Sequence, residues 1–197
     1  MKRLQNLLLI AALYFAPFAA IAGSAEIGKP APLFKLTGID GKEYNLESFK
    51  EKKAVVVMFI SARCPVSNAY NERMVKLFDD YNGKGIVFLG VNANSTESLD
   101  DAAQHAKAKK FAFPVLKDDG NVVADTYGAQ VTPEIFVLDD HLTLRYHGRI
   151  DDSQKPDGVS TSDLRDALNA MLAGKEIAKK ETKAFGCSIK RVKKDSD

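Results

Sequence analysis

The stretch Val55-Val56-Val57-Met58-Phe59-Ile60-Ser61-Ala62-Arg63-Cys64-Pro65-Val66-Ser67 carries most of the structural information in this 197-residue chain. Its first six residues form an unbroken apolar run rich in β-branched side chains. A run that short and that apolar suits a strand buried on both faces. The apolar residues Tyr70, Met74, Leu77, Phe78 and Tyr81 then recur at spacings of three and four, which predicts a helix from about Val66 to Tyr81. Cys64 therefore sits between the end of a buried strand and the start of a helix. Backbone N–H groups at a helix start are unpaired and carry partial positive charge, which favours a thiolate, the reactive form of cysteine. Pro65 fits the first turn, where its missing N–H costs nothing. Arg63 adds a cation, and the Ser61 and Ser67 hydroxyls are within reach of the sulfur.

Outward from this stretch the elements alternate. Leu33–Leu36 reads as a short strand followed by an Asp40-Gly41 turn, and Ile86–Val91 as a second buried strand. Ser95–Lys109 reads as a helix with Thr96 as its cap and Glu97 in its first turn. Phe113–Leu116 is a strand, Asp119-Gly120 a turn, and Val122–Tyr127 a short helix ending at Gly128. Ile135–Leu138 and Leu142–Tyr146 form a hairpin around Asp139-Asp140. Ser162 is read as the cap of a last helix to about Leu172, and Gly174 stops it. Alternation in the first half implies parallel crossovers, and the hairpin makes the sheet mixed. The fold class is α/β, a mixed central sheet flanked by helices.

The N-terminus is an address. Met1-Lys2-Arg3 precedes an apolar run from Leu7 to Ala22 that ends in Ala20-Ile21-Ala22, the small-x-small pattern of a cleavage site. The run is shorter than the roughly 20 residues of a membrane span. Residues 1–22 are read as a signal peptide cleaved after Ala22, so the chain is exported, periplasmic or extracellular, with no stable membrane span afterwards. The chain has 28 basic and 26 acidic residues, and losing Lys2 and Arg3 makes the two equal. That balance points to no nucleic acid. The charge is uneven, because Lys175 onward holds eight basic and four acidic residues. Such a tail is solvated or lies on an acidic face of its own body. Residues 23–174 are read as one domain and 175–197 as a basic tail.

That tail holds Cys187, the second of two cysteines, in the apolar island Phe185-Gly186-Cys187-Ser188-Ile189. A thiol that attacks a disulfide or a peroxide needs a second thiol for turnover, and Cys187 is the one on offer. About 14 residues separate it from Leu172, and extended they reach roughly 45–50 Å, ample for a return to Cys64. A reversible Cys64–Cys187 bridge, a static one, a bond to another chain and two independent thiols all remain open. His105, His141 and His147 are scattered, so no metal and no cofactor is expected. Asp139-Asp140 and Asp151-Asp152 read as solvated turns. Arg149 is a weak candidate for contact with substrate or thiolate.

Lys29-Pro30-Ala31-Pro32-Leu33-Phe34, the run Val55–Ser67, Asp125-Thr126-Tyr127-Gly128-Ala129 and Thr132-Pro133-Glu134-Ile135-Phe136-Val137-Leu138-Asp139 together resemble the AhpC/TSA (redoxin, peroxiredoxin-like) group of the thioredoxin superfamily, over roughly residues 27–173. The resemblance implies a thioredoxin-like fold with an N-terminal hairpin extension. It also implies a cis peptide at Thr132–Pro133 beside Cys64, where Thr132, Pro133 and Glu134 shape a substrate edge. Glu134 there is either a base that tunes the thiol or an ordinary exposed carboxylate. The second cysteine of a C-x-x-C pair is replaced by Ser67. The proline and threonine that peroxiredoxins set seven and three residues before the cysteine are Val57 and Ser61, and their arginine is missing from the Thr132–Glu134 region unless Arg63 or Arg149 replaces it.

The expected function is thiol–disulfide exchange, with Cys64 attacking and Cys187 resolving. Its partners are protein or small-molecule thiols and disulfides and an electron donor the sequence does not name. A peroxiredoxin-like peroxidase acting on peroxides ranks second, and a redox-silent binding module third.

Overall fold

The computed structural model describes residues 24–193, so the expected leader and its expected cleavage site lie outside the described residues. A seven-stranded mixed sheet runs β2-β1-β5-β4-β3-β7-β8. Its members are β1 (Lys35–Gly38), β2 (Glu43–Asn45), β3 (Ala54–Ile60), β4 (Ile86–Asn92), β5 (Val115–Lys117), β7 (Glu134–Leu138) and β8 (Leu144–Gly148). β3 pairs in parallel with β4 and antiparallel with β7, so it is central, and all seven of its residues are buried. That burial is why its sequence is continuously apolar and does not alternate. Each fully buried Val or Ile side chain there contributes about 1.5–3 kcal/mol.

Residues of β3 divide between two cores. Ala54, Val56, Met58 and Ile60 pack with Met74, Leu77 and Tyr81 of α2 (Asn71–Tyr81), Ala102 and Ala106 of α3 (Leu99–Ala108), and Leu164 and Leu168 of α5 (Asp163–Leu172). Val55, Val57 and Phe59 pack on the other face with Val123 and Tyr127 of α4 (Val122–Tyr127) and with Ala31 and Phe34 of the N-terminal segment. This is the thioredoxin-like arrangement, with helices on both faces of a mixed sheet.

Several elements differ from expectation. The first helix is broken into α1 (Pro65–Ala69) and α2. The Tyr70 N–H bonds the Ser67 carbonyl, a tight i→i−3 turn that ends α1 one turn after Cys64. Thr96 is not a cap. Ser98 caps α3 and forms a reciprocal capping box with Asp101, a pairing that sets the start of the helix two residues beyond Glu97. The strands after Phe113 and Leu142 begin later than expected, at Val115 and Leu144. Asp151 is not solvated either: it is buried against Arg73 at 2.6 Å.

The tail lies against the body. The His147 N–H donates to the Lys180 carbonyl and the Thr182 N–H to the His147 carbonyl, which seats residues 180–182 on the edge of β8. Lys179 pairs with Asp163 at 3.2 Å. Farther on, β9 (Cys187–Ser188) pairs antiparallel with β6 (Val131–Thr132) in a second, two-stranded sheet, Thr132 opposite Cys187.

Candidate functional site

The site forms where β3 ends, α1 begins and the loop before β7 returns. Cys64 occupies the N-cap position of α1 in extended conformation and is 5% exposed. Its Sγ accepts the Ser67 N–H at 3.3 Å and lies 3.3 Å from the Thr132 carbonyl oxygen. Because α1 has only five residues, the favourable field at the sulfur comes from this local N–H and not from a long helix dipole. The Thr132–Pro133 peptide is cis, and Glu134 begins β7 just after it.

Cys64 and Cys187 form a disulfide with Cα atoms 5.8 Å apart. Gly186 is required at the crossing. A Cβ built on it would overlap the carbonyl carbon and oxygen of Thr132, and backbone cannot yield cheaply. Gly186→Ala is therefore expected to displace β9, lowering the fraction of molecules that close the internal bridge in air by several-fold. Peptide mapping of non-reduced digests checks this. Phe185 packs edge-on against Tyr70, with ring centroids 6.2 Å apart.

The serines act differently from expectation. The Ser67 hydroxyl accepts the Ser61 N–H at 3.2 Å. It braces the loop, and the backbone of the same residue meets the sulfur. The Ser61 hydroxyl accepts the Cys64 and Arg63 N–H groups at 2.9 and 3.2 Å. The Arg63 guanidinium is paired with Asp101 at 3.0 Å, so its charge is neutralised on α3 and not directed at Cys64. Arg149 is likewise held by Asp163 at 2.7 Å.

The residue that organises the loop is Glu97, which sequence reasoning assigned to a helix turn. It is 3% exposed. Its Oε1 accepts the Ser61 hydroxyl at 2.5 Å, the Asn94 amide at 3.2 Å and the Arg63 N–H at 3.3 Å. Its Oε2 accepts the Asn92 amide at 2.6 Å and the Ala62 N–H at 2.8 Å. Buried Lys117 donates to Asn94 O at 3.0 Å, approaches Asn92 Oδ1 at 3.5 Å and pairs with Asp119 at 3.7 Å, so the two asparagines join this cation to the Glu97 network. The readable signal was the pair of asparagines, Asn92 and Asn94, at the end of a buried strand. Polar amides there need buried partners. Asn68 adds a second brace, donating to Ala62 O at 2.9 Å while its Oδ1 meets His105 Nε2 at 2.6 Å.

Glu134 is neither exposed nor engaged with the sulfur. Its carboxylate is buried, bonds His147 Nε2 at 2.7 Å and accepts the Gln130 and Val131 N–H groups at 2.7 and 3.0 Å. It therefore shapes the cis-proline loop from behind. Burial pushes its carboxyl up, but the His147 bond and the two backbone donors outweigh that and hold it below the ordinary range. A depressed folded-state value means stability that is fully present above the unfolded carboxylate pKa and lost as pH falls through the folded value. Glu134→Gln is thus expected to lower stability at neutral pH and flatten its decline in acid, measured by urea denaturation across pH 3–7.

Among the described residues, no three His, Cys, Asp or Glu side chains converge as metal ligands, and no helix is long and apolar enough to cross a membrane.

A buried cysteine at a strand-to-helix turn, beside a cis-proline loop on a mixed sheet, defines a thioredoxin-like protein. The chain belongs to the AhpC/TSA family, whose model matches residues 27–147. Thiol-disulfide oxidoreductase ResA of Bacillus thuringiensis is 32% identical over 114 residues, 58% of this chain, and the chain spans 64% of that relative's length. A hypothetical protein from Sinorhizobium meliloti has a similar structure, with a TM-score of 0.80 and 36% identity over 86% of this chain and 97% of its own. An uncharacterized conserved protein from Geobacillus kaustophilus also has a TM-score of 0.80, with 34% identity over 87% of this chain and 94% of its own.

Proposed function

We propose that this chain is an exported thiol–disulfide oxidoreductase in which Cys64 attacks and Cys187 resolves. Residues 1–22 act as a cleaved leader, 23–174 form the redox body and 175–197 deliver the resolving thiol. The observation that carries this reading is the pairing of Cys64 with a cysteine 123 positions away, on a strand laid against the cis-proline loop. Ser61, Ser67 and the loop they brace hold Cys64. Thr132 and Pro133 set the face on which sulfur meets sulfur. The activity for which the ResA relative is named agrees with this chemistry. Its substrates here are protein or small-molecule thiols and disulfides.

The peroxidase reading is weaker because Arg63 and Arg149, the two arginines that could polarise a peroxide, are paired with Asp101 and Asp163. The test runs two assays side by side with dithiothreitol as donor: reduction of a protein disulfide and consumption of hydrogen peroxide. Exchange several orders of magnitude above background with little peroxide turnover supports the proposal. Dominant peroxide turnover overturns it in favour of the peroxidase. Neither activity leaves a binding module.

A further inference from the structure

The tail is fastened well beyond its disulfide. Past Cys187, the Ile189 N–H donates to Gln130 O at 2.9 Å and the Lys190 N–H to Asn94 Oδ1 at 2.8 Å. The Ser95 N–H donates to Lys190 O at 2.9 Å, and the Val192 N–H to Asn121 Oδ1 at 2.7 Å. Arg191 pairs with Asp125 at 2.9 Å and donates to Ala129 O at 2.5 Å. Ile189 is 6% exposed and belongs to the core under α4. On the other side of Cys187, Thr182 is fixed to β8, its hydroxyl accepting the Arg149 N–H at 3.0 Å. None of these bonds uses sulfur.

We propose that residues 188–192 stay seated when the Cys64–Cys187 bond opens, so that this clasp positions the resolving thiol in the reduced protein. The proposal rests on the exchange reading above. In the cycle, the Cys64 thiolate attacks a substrate disulfide. A Cys64–substrate S–S bond forms, the substrate bond breaks and one substrate thiolate leaves. The Cys187 thiolate then attacks Cys64 Sγ, re-forming the internal bond and expelling the second substrate thiolate. The substrate gains two electrons and the Cys64–Cys187 pair loses them. A dithiol donor restores the pair by the reverse exchange and leaves as its own disulfide. A docked Cys187 presents a far higher effective concentration than a free tail, so resolution outruns capture by external thiols. Arg191, Asn121 and Ile189 are then positioning residues, and the β6 edge stays filled in both redox states.

Hydrogen exchange on the full-length protein, with and without dithiothreitol, tests this. The amides of Ile189, Lys190 and Val192 are expected to remain protected by about 100-fold or more after reduction. Exchange at the rate of an unstructured peptide would overturn the clasp while leaving Cys64 chemistry intact. As a second measure, Arg191→Ala is equilibrated with glutathione buffers. The equilibrium constant for the internal bridge is expected to fall about tenfold, with Lys193→Ala unchanged as a control. A value for Arg191→Ala equal to wild type would contradict the proposal. A bridge that resists reduction in the folded protein would instead overturn the exchange reading itself.

Discussion

Replacing Cys64 with serine is expected to lower kcat/KM for disulfide reduction by about 1000-fold or more, because a neutral hydroxyl cannot replace a thiolate nucleophile. The fold should survive, since oxygen for sulfur removes little volume, although the internal bridge is lost with its restraint on the unfolded chain. That loss costs up to about 5 kcal/mol for a loop of this length by chain entropy. Cys187→Ser separates the two effects. It loses the same bridge but keeps the attacking thiol. It should therefore accumulate a mixed disulfide between Cys64 and substrate, seen as a mass adduct, while turnover stalls at the second step. Equal rates for Cys64→Ser and wild type would remove this sulfur from the mechanism.

Glu97 is the second large expectation. Removing its carboxylate by Glu97→Ala leaves the Ser61 hydroxyl, the Ala62 N–H and two amides without their acceptor in a buried setting, and the Arg63 N–H keeps only the Ser61 oxygen. Breaking a buried charged network of this kind costs about 3–5 kcal/mol. For a domain of this size, that shifts Tm by about 10 °C. Glu97→Gln keeps the shape but sets an NH₂ group against donors whichever way the amide is turned. It should cost about 2 kcal/mol and slow the reaction of Cys64 with an alkylating thiol reagent. Thermal melting and alkylation rates measure both effects. A fully active, equally stable Glu97→Gln would show that the loop holds Cys64 without that charge.

The legible parts of this molecule are those where one local rule had no rival. Val55–Ile60 is a buried strand because nothing else accommodates six consecutive apolar residues between polar turns. Gly128 ends α4 in the left-handed region at φ 71°, where glycine is favoured. The Thr132–Pro133 cis bond followed from resemblance to a fold. Errors arose where two signals competed. Thr96 and Ser98 both offer caps, and Asp101 decides between them by completing the box with Ser98. The 66–81 periodicity is real, yet the tight turn at Tyr70 divides it without disturbing which residues face the core. At the site, Cys64, Cys187, Thr132 and Pro133 come together from distant positions. The side chains of Arg63, Ser67 and Glu134 lie nearby but bond elsewhere, because proximity in sequence does not fix where a side chain points. Glu97 carried no signal of its own, for the opposite reason, and only Asn92 and Asn94 hinted at a buried partner. A buried carboxylate is recognised by its donors, and these come from residues 61–63, 92 and 94, joined only in the folded chain.

The central claim is that Cys64 and Cys187 form a bond that opens and closes during function. Non-reduced peptide mapping through one redox cycle tests it most directly. The oxidised protein should yield a linked Cys64–Cys187 peptide pair. That link should vanish with one equivalent of dithiol and return when a substrate disulfide is added, with a matching amount of substrate thiol released. A linked pair that persists through the cycle, or that never forms, would contradict the account.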